Sequence, residues 1–236
     1  MHRLTNLRLC EITEPDVSPL AVQGPKAEAV VASIFGDWVR GLKYFWFGET
    51  VLNGIPLAVA RSGWSKQGGF EIYLMDGTRG AELWNIVKEA GKAFDIGPGN
   101  PNSHERIESG LLSYGGDTDD QTNPYELRLG KYVDLDVPDD VIGILALRRI
   151  KAEGAKRQQL GIVLDDDTPS SASFIWFDLM AGDRKIGSMT NIIWSYRLKK
   201  NIGFALVSSA AKAGDTVKVA RKGKAEGATL VEMPFI

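Results

Sequence analysis

Glu71 and Tyr73 stand two residues apart in the run Ala60-Arg-Ser-Gly-Trp-Ser-Lys-Gln-Gly-Gly-Phe-Glu-Ile-Tyr-Leu74, directly after a pair of glycines. In an extended strand successive side chains point to opposite faces, so Phe70, Ile72 and Leu74 share one face and Glu71 and Tyr73 the other. A carboxylate accepts hydrogen bonds at both oxygens. It therefore matches a ring edge with adjacent N–H donors, such as a pterin or a guanine, while a neighbouring aromatic packs on the ring. Gly68 and Gly69 let the backbone approach such a ligand, or take positive φ, at no steric cost. The same alternation fits a half-buried strand with a solvated Glu71, so the residues alone leave both readings open.

Other chemistries find little support. His2 and His104 are the only histidines, and no Cys/His spacing fits zinc. The acidic run from Asp117 to Asn123 starts like an EF-hand, but Thr122 replaces the required glycine and Arg128 stands where the bidentate Glu belongs. Asp165-Asp-Asp167 before Thr168-Pro169 reads as a solvated turn. No Walker loop, dinucleotide fingerprint or G-x-S-x-G elbow occurs.

The elements that must hold Glu71 and Tyr73 follow from periodicity and turn chemistry. Strands are expected at 7–13, 20–23, 44–48, 55–60 and 70–75, with Asn53-Gly54 as a hairpin turn. A helix is expected at 26–35 after Gly24-Pro25, and another at 79–94 with Leu83, Trp84, Val87, Ala90 and Phe94 on its buried stripe. Ser103 is a plausible N-cap for a helix through about 114, with Ile107, Leu111 and Tyr114 buried and Arg106, Ser109 and Ser113 on another face. A connector over 134–156 holds one helix at 139–151. From 157 onward short strands follow at 159–164, 173–177, 185–193, 201–207, 216–221 and 229–233. They are separated by turns at 181–183, 213–215 and 226–227, which suggests a small closed barrel or sandwich. There is no internal repeat.

With 44% hydrophobic and 25% charged residues in 236, the composition is that of an ordered globular chain of one large or two modest domains. A net charge of −2 supplies no basic field for nucleic acid. The single cysteine, Cys10, rules out an internal disulfide and fits a reducing compartment. No apolar run approaches membrane-spanning length. The expected address is the cytoplasm.

Several motifs in order carry a wider likeness: Pro15-Asp-Val-Ser-Pro-Leu-Ala-Val-Gln-Gly-Pro25, the Arg61–Gly69 run, Glu105-Arg-Ile-Glu-Ser-Gly-Leu-Leu-Ser-Tyr-Gly115, Asn123-Pro-Tyr-Glu126 and a Met233-Pro-Phe close. Over about 11–236 the chain resembles the folate-dependent aminomethyltransferase superfamily of the glycine-cleavage T-protein. Its motifs take the forms of the branch that demethylates dimethylsulfoniopropionate. Where T-proteins usually carry Ala-Arg-Asp, this chain has Pro101-Asn102-Ser103, so an Arg used for folate is absent, which favours the demethylase branch.

The resemblance implies an α+β chain in which a partial folate-binding α/β region at 1–133 and a connector at 134–156 precede a C-terminal antiparallel β-barrel at 157–236. It implies methyl transfer from dimethylsulfoniopropionate or a related donor to tetrahydrofolate. The alternatives are aminomethyl transfer of the glycine-cleavage type, another folate-dependent demethylation, or folate binding without turnover. The partners implied are folate and a small methyl donor, with no nucleic acid and no membrane. In the demethylase reading the leaving group is a neutral thioether and the acceptor an amine, so neither metal nor enzyme nucleophile is required, and holding the reactants in line suffices. Glu71 would grip the pterin edge, with Tyr73 beside it and Gly69 at the turn. Arg106 would support the folate pocket or brace a carboxylate, although a structural ion pair with a nearby Glu fits it equally. A sulfonium prefers an aromatic face, which points to Trp64 first and then to Trp194 and Tyr196, each of which also fits ordinary packing. Ser113 is a further substrate-binding expectation. Met1 falls partway through the family's folate-binding region, so one wall of the pterin pocket is expected to be missing and this chain alone is expected to turn over little.

Overall fold

The computed structural model describes residues 17–100, 103–221 and 223–236. The expected strand at 7–13, and the residues Cys10 and Asn102, lie outside them. The chain forms two compact units, 1–100 and 101–236.

In the first unit four antiparallel strands, β1 (Ser18–Gln23), β2 (Phe47–Leu52), β3 (Ile55–Ala60) and β4 (Gly69–Leu74), lie in the order β1-β4-β3-β2. Asn53 and Gly54, at φ +51° and +77°, turn β2 into β3, as the Asn-Gly signal predicts. Registry sorts the side chains. Val22, Ile55, Leu57, Val59, Phe70, Ile72 and Leu74 face helices α1 (Ala27–Phe35) and α2 (Gly80–Gly91) in one core. Each fully buried side chain of that kind contributes about 1.5–3 kcal/mol through apolar area removed from water. The other face carries Glu71 opposite Ala60 and Tyr73 opposite Ala58, with Phe47 beyond Ala60.

Two expectations fail here. The strand expected at 44–48 begins at Phe47, because Phe45 takes φ +65° and Trp46 N–H closes a turn onto Lys43 O, so the aromatic run is a bend. Trp84 is 44% exposed rather than buried: it lies about 100° round the helix from Leu83, while Val87 and Gly91 continue the buried stripe.

The second unit contains α3 (Ser103–Glu108), α4 (Ile144–Glu153) and strands β5 (Arg157–Leu164), β6 (Phe177–Ala181), β7 (Arg184–Met189), β8 (Ile193–Ser195), β9 (Lys200–Ser208), β10 (Thr216–Arg221) and β11 (Lys224–Val231). Six of them close a barrel in the order β5-β11-β10-β6-β7-β9, since β9 pairs back onto β5. Closure leaves no free edge in that ring. β8 pairs with the start of β9. Leu160, Ile162, Leu164, Leu179, Val217, Val219 and Leu230 fill one core, and Ile193, Ile202 and Phe204 pack with Ile107 of α3 in another.

The helix expected through 114 ends at Glu108. Gly110 takes φ +74°, its N–H bonds Ile107 O and the Leu111 N–H bonds Arg106 O, the paired bonds of a Schellman C-cap. Tyr114 is consequently 76% exposed, not buried. The connector helix starts at Ile144 rather than 139, after a turn in which Val141 N–H bonds Pro138 O. The strand expected at 173–177 is displaced to Phe177–Ala181, and Ser173 makes only an isolated bridge to Ile192. The expected strand 185–193 is two, β7 and β8, interrupted at residues 190–192. Glu226 and Gly227, expected as a turn, lie inside β11.

Candidate functional site

On the open face of the first sheet, Phe45, Phe47, Ala58, Ala60, Ser62, Glu71 and Tyr73 line a cavity of about 430 Å³. Its floor exists because β3 presents only methyl groups there, between Phe47 on one neighbour strand and Glu71 and Tyr73 on the other. Ser62 Oγ donates to Glu71 Oε2 at 2.5 Å, and Tyr73 Oη donates to the same oxygen at 3.3 Å. Burial, then the charge of Glu71, push the Tyr73 phenol above its ordinary range, so it stays protonated as a donor at neutral pH. The arrangement offers a carboxylate on an apolar floor with aromatic walls, a chemistry suited to a flat ring bearing N–H donors.

The turn above this floor is fastened by Gln23, a contact that sequence reasoning missed. Its amide donates to Ser62 O at 3.1 Å and Phe70 O at 3.2 Å, and its carbonyl oxygen accepts from Ser65 Oγ at 2.8 Å. The glycines are steric requirements of that closure. A Cβ on Gly63 would sit 2.0 Å from Gln23 Oε1, and one on Gly69, whose φ is +147°, would sit 2.4 Å from Val22 O. Trp64 stands on the turn, 41% exposed, and is not among the cavity-lining residues.

The remaining expected site residues belong to the second unit. Arg106 is 2% exposed and its guanidinium engages Asp117 at 2.7 Å and Leu111 O at 3.0 Å, and lies 5.6 and 5.9 Å from the rings of Phe174 and Phe204. The buried ion pair described for it is thus with an Asp eleven residues on. Ser113 lies in the loop after α3 and gives its backbone N–H to Asp117 Oδ2 at 2.8 Å. Asp117 also accepts from Thr190 Oγ1 at 3.0 Å and from the Asn191 amide, which ties that loop to the interruption between β7 and β8. Trp194 is partly buried in β8, and Tyr196 is 73% exposed with its ring 5.5 Å from that of His104.

The other shared motifs also resolve into contacts. In Asn123-Pro-Tyr-Glu126, Asn123 Oδ1 accepts from the Tyr125 and Glu126 amides, and buried Glu126 forms a two-pronged pair with Arg157 of β5 at 2.8 and 2.9 Å. Glu126 raises the Arg157 pKa through that bond. The Met233-Pro-Phe close gives its Phe235 N–H to Glu108 O at 3.0 Å. Among the described residues no group of three or more His, Cys, Asp or Glu could hold a metal ion. No helix among them is long and apolar enough to cross a membrane.

Comparison with known proteins agrees with this architecture. The GCVT N-terminal domain family matches residues 1–137, and the glycine cleavage T-protein C-terminal barrel domain matches residues 157–236. The chain is 43% identical over 197 residues to dimethylsulfoniopropionate demethylase DmdA of Ruegeria pomeroyi, covering 84% of this chain and 53% of that protein. It is 33% identical over 224 residues to an aminomethyltransferase of Caldanaerobacter subterraneus, covering 93% of this chain and 58% of that one. The crystal structure of glycine cleavage system aminomethyltransferase T from Bartonella henselae superposes with a TM-score of 0.73 at 22% identity, over 93% of this chain and 60% of that one. The chain thus spans little more than half the length of these relatives. With both family domains matched in order, the chain belongs to the glycine cleavage T-protein family.

Proposed function

We propose that the cavity over β3 and β4 binds the pterin end of tetrahydrofolate, and that the chain serves folate-dependent transfer of a methyl group from dimethylsulfoniopropionate or a related sulfonium. The observation that carries this reading is the Glu71 carboxylate on an apolar floor, with Phe45 and Phe47 in the walls. Glu71 would accept N–H donors of the ring edge, each charge-assisted bond being worth about 1.5–3 kcal/mol. The small side chains of Ala58 and Ala60 would let a flat ring lie against the sheet. Tetrahydrofolate, when bound, supplies the N5 amine that takes the methyl group. The likeness to the Ruegeria demethylase supports the sulfonium donor, and Trp64 is the aromatic proposed to face it.

A second reading, aminomethyl transfer, is supported by aminomethyltransferase relatives that are 33% identical across 93% of the chain. The test incubates the protein with tetrahydrofolate and either dimethylsulfoniopropionate or an aminomethyl-lipoyl carrier. Formation of 5-methyltetrahydrofolate from the sulfonium supports the first reading. Ammonia and 5,10-methylenetetrahydrofolate from the carrier support the second. Folate binding with neither product supports a non-catalytic folate protein.

A further inference from the structure

Both donors at the Glu71 carboxylate, the Ser62 hydroxyl and the Tyr73 phenol, fall on one oxygen, Oε2. Among the described residues no hydrogen bond is made to Oε1. The two donors are unequal: 2.5 Å is short for an O–H···O bond and 3.3 Å is long. Ser62 is also held from behind, since Gln23 binds its carbonyl oxygen at 3.1 Å and the absence of a side chain on Gly63 lets Gln23 lie there. The Tyr73 hydroxyl is held more loosely: beside its long bond to Glu71, the other side chain it engages is Ser62 itself.

We propose that Ser62 is a positioning residue that fixes Oε2 and turns Oε1 to the cavity, and that a ligand edge with two adjacent N–H donors engages Glu71 by displacing the Tyr73 hydroxyl. This rests on the folate reading of the cavity. A carboxylate oxygen takes about two in-plane hydrogen bonds, and Oε2 already has two. A ligand bringing one N–H to each oxygen must therefore remove one donor, and the longer bond yields at the smaller cost. Tyr73 holds the place that the ligand takes, whereas Ser62 stays through binding.

Two measurements test this. In ligand-free protein, ultraviolet titration referenced to Tyr73→Phe isolates the Tyr73 phenol. The other acidic groups on its sheet face are Glu71 on the same strand and Glu49 on β2 across Ala58, while β1 brings Pro19 and Ala21. Ser62 lowers the Tyr73 pKa and Glu71 raises it, so Ser62→Ala should move the Tyr73 midpoint up and Glu71→Gln should move it down. In calorimetry with 5-formyltetrahydrofolate, Ser62→Ala should weaken binding about fivefold, Ser62→Thr should restore it within about twofold, and Tyr73→Phe should bind as tightly as wild type or tighter. An unmoved midpoint in Ser62→Ala overturns the shared-oxygen arrangement, and a loss in Tyr73→Phe equal to that in Ser62→Ala overturns the displacement. If the midpoint moves as expected while no form of the protein binds the folate, the positioning role stands and the folate reading of the cavity fails.

Discussion

Removing the Asp117 carboxylate should destabilise the second unit more than any exposed ion pair in it. Asp117 is fully buried and accepts from Arg106, Ser113 N–H, Thr190 and Asn191, so Asp117→Ala takes the Asp117 charge from a guanidinium that is 2% exposed, removes the acceptor of Ser113 N–H and the Thr190 hydroxyl, and leaves the Asn191 amide only its longer bond to Thr190. Breaking one side of a buried pair costs about 3–5 kcal/mol, because the remaining charge stays out of water. Arg128–Glu232, whose side chains are 44% and 65% exposed, should give at most about 1 kcal/mol on the same assay. With a urea m-value of about 2 kcal/mol/M, the Asp117→Ala midpoint should fall by about 1.5–2.5 M. Fluorescence is a suitable probe, since the Trp176 indole donates to Gly116 O at 2.7 Å beside the lost group. The diagnostic variant is Arg106→Met with Asp117→Leu. It removes both charges, so it should be more stable than Asp117→Ala alone. A midpoint shift below about 0.5 M for Asp117→Ala, or strictly additive effects of the two substitutions, would refute the reasoning.

Gly69→Ala should cost about 1–3 kcal/mol through its backbone conformation alone, with more from the 2.4 Å approach to Val22 O, and an unchanged melting temperature would contradict that closure. Asp76 has its pKa lowered by the Thr78 hydroxyl, then by the Thr78 amide. Its contribution to stability is therefore present above the unfolded pKa and is lost as pH falls through the lower folded value. Carbon-13 titration of the Asp76 carboxyl should show a midpoint below the usual Asp range, moving back up in Thr78→Val. Trp64→Leu should raise KM for a sulfonium donor more than KM for folate, and equal changes in both would remove Trp64 from the donor site.

What could be read from sequence was what local pattern determines. The Asn53-Gly54 turn, β3 at Ile55–Ala60, β10 at Thr216–Arg221 and the shared face of Glu71 and Tyr73 follow from turn chemistry and alternation over a few residues. The end of α3 was missed because Ile107, Leu111 and Tyr114 keep a helical spacing through Gly110, and only the left-handed φ of that glycine breaks it. Asp117 was read only as the start of an acidic run that fails as a calcium loop. Its partners Thr190 and Asn191 lie more than seventy residues on, at a strand interruption that carries no compositional mark. Gln23 was unremarkable as a strand end until the fold brought the turn of Ser62 and Ser65 onto it. Phe45 and Phe47 were both read as strand residues; Phe47 does open β2, but Phe45 sits in a bend, and the two together line the cavity.

The central claim, that Glu71 is the anchor of a pterin site, is tested most directly by calorimetric titration of 5-formyltetrahydrofolate into wild type and Glu71→Gln, with melting curves confirming that both are folded. The account predicts saturable one-site binding to wild type, weakened about 10- to 150-fold in the variant as one acceptor of a charge-assisted pair becomes a donor. Equal affinity in the two proteins, or no binding to either, would contradict it.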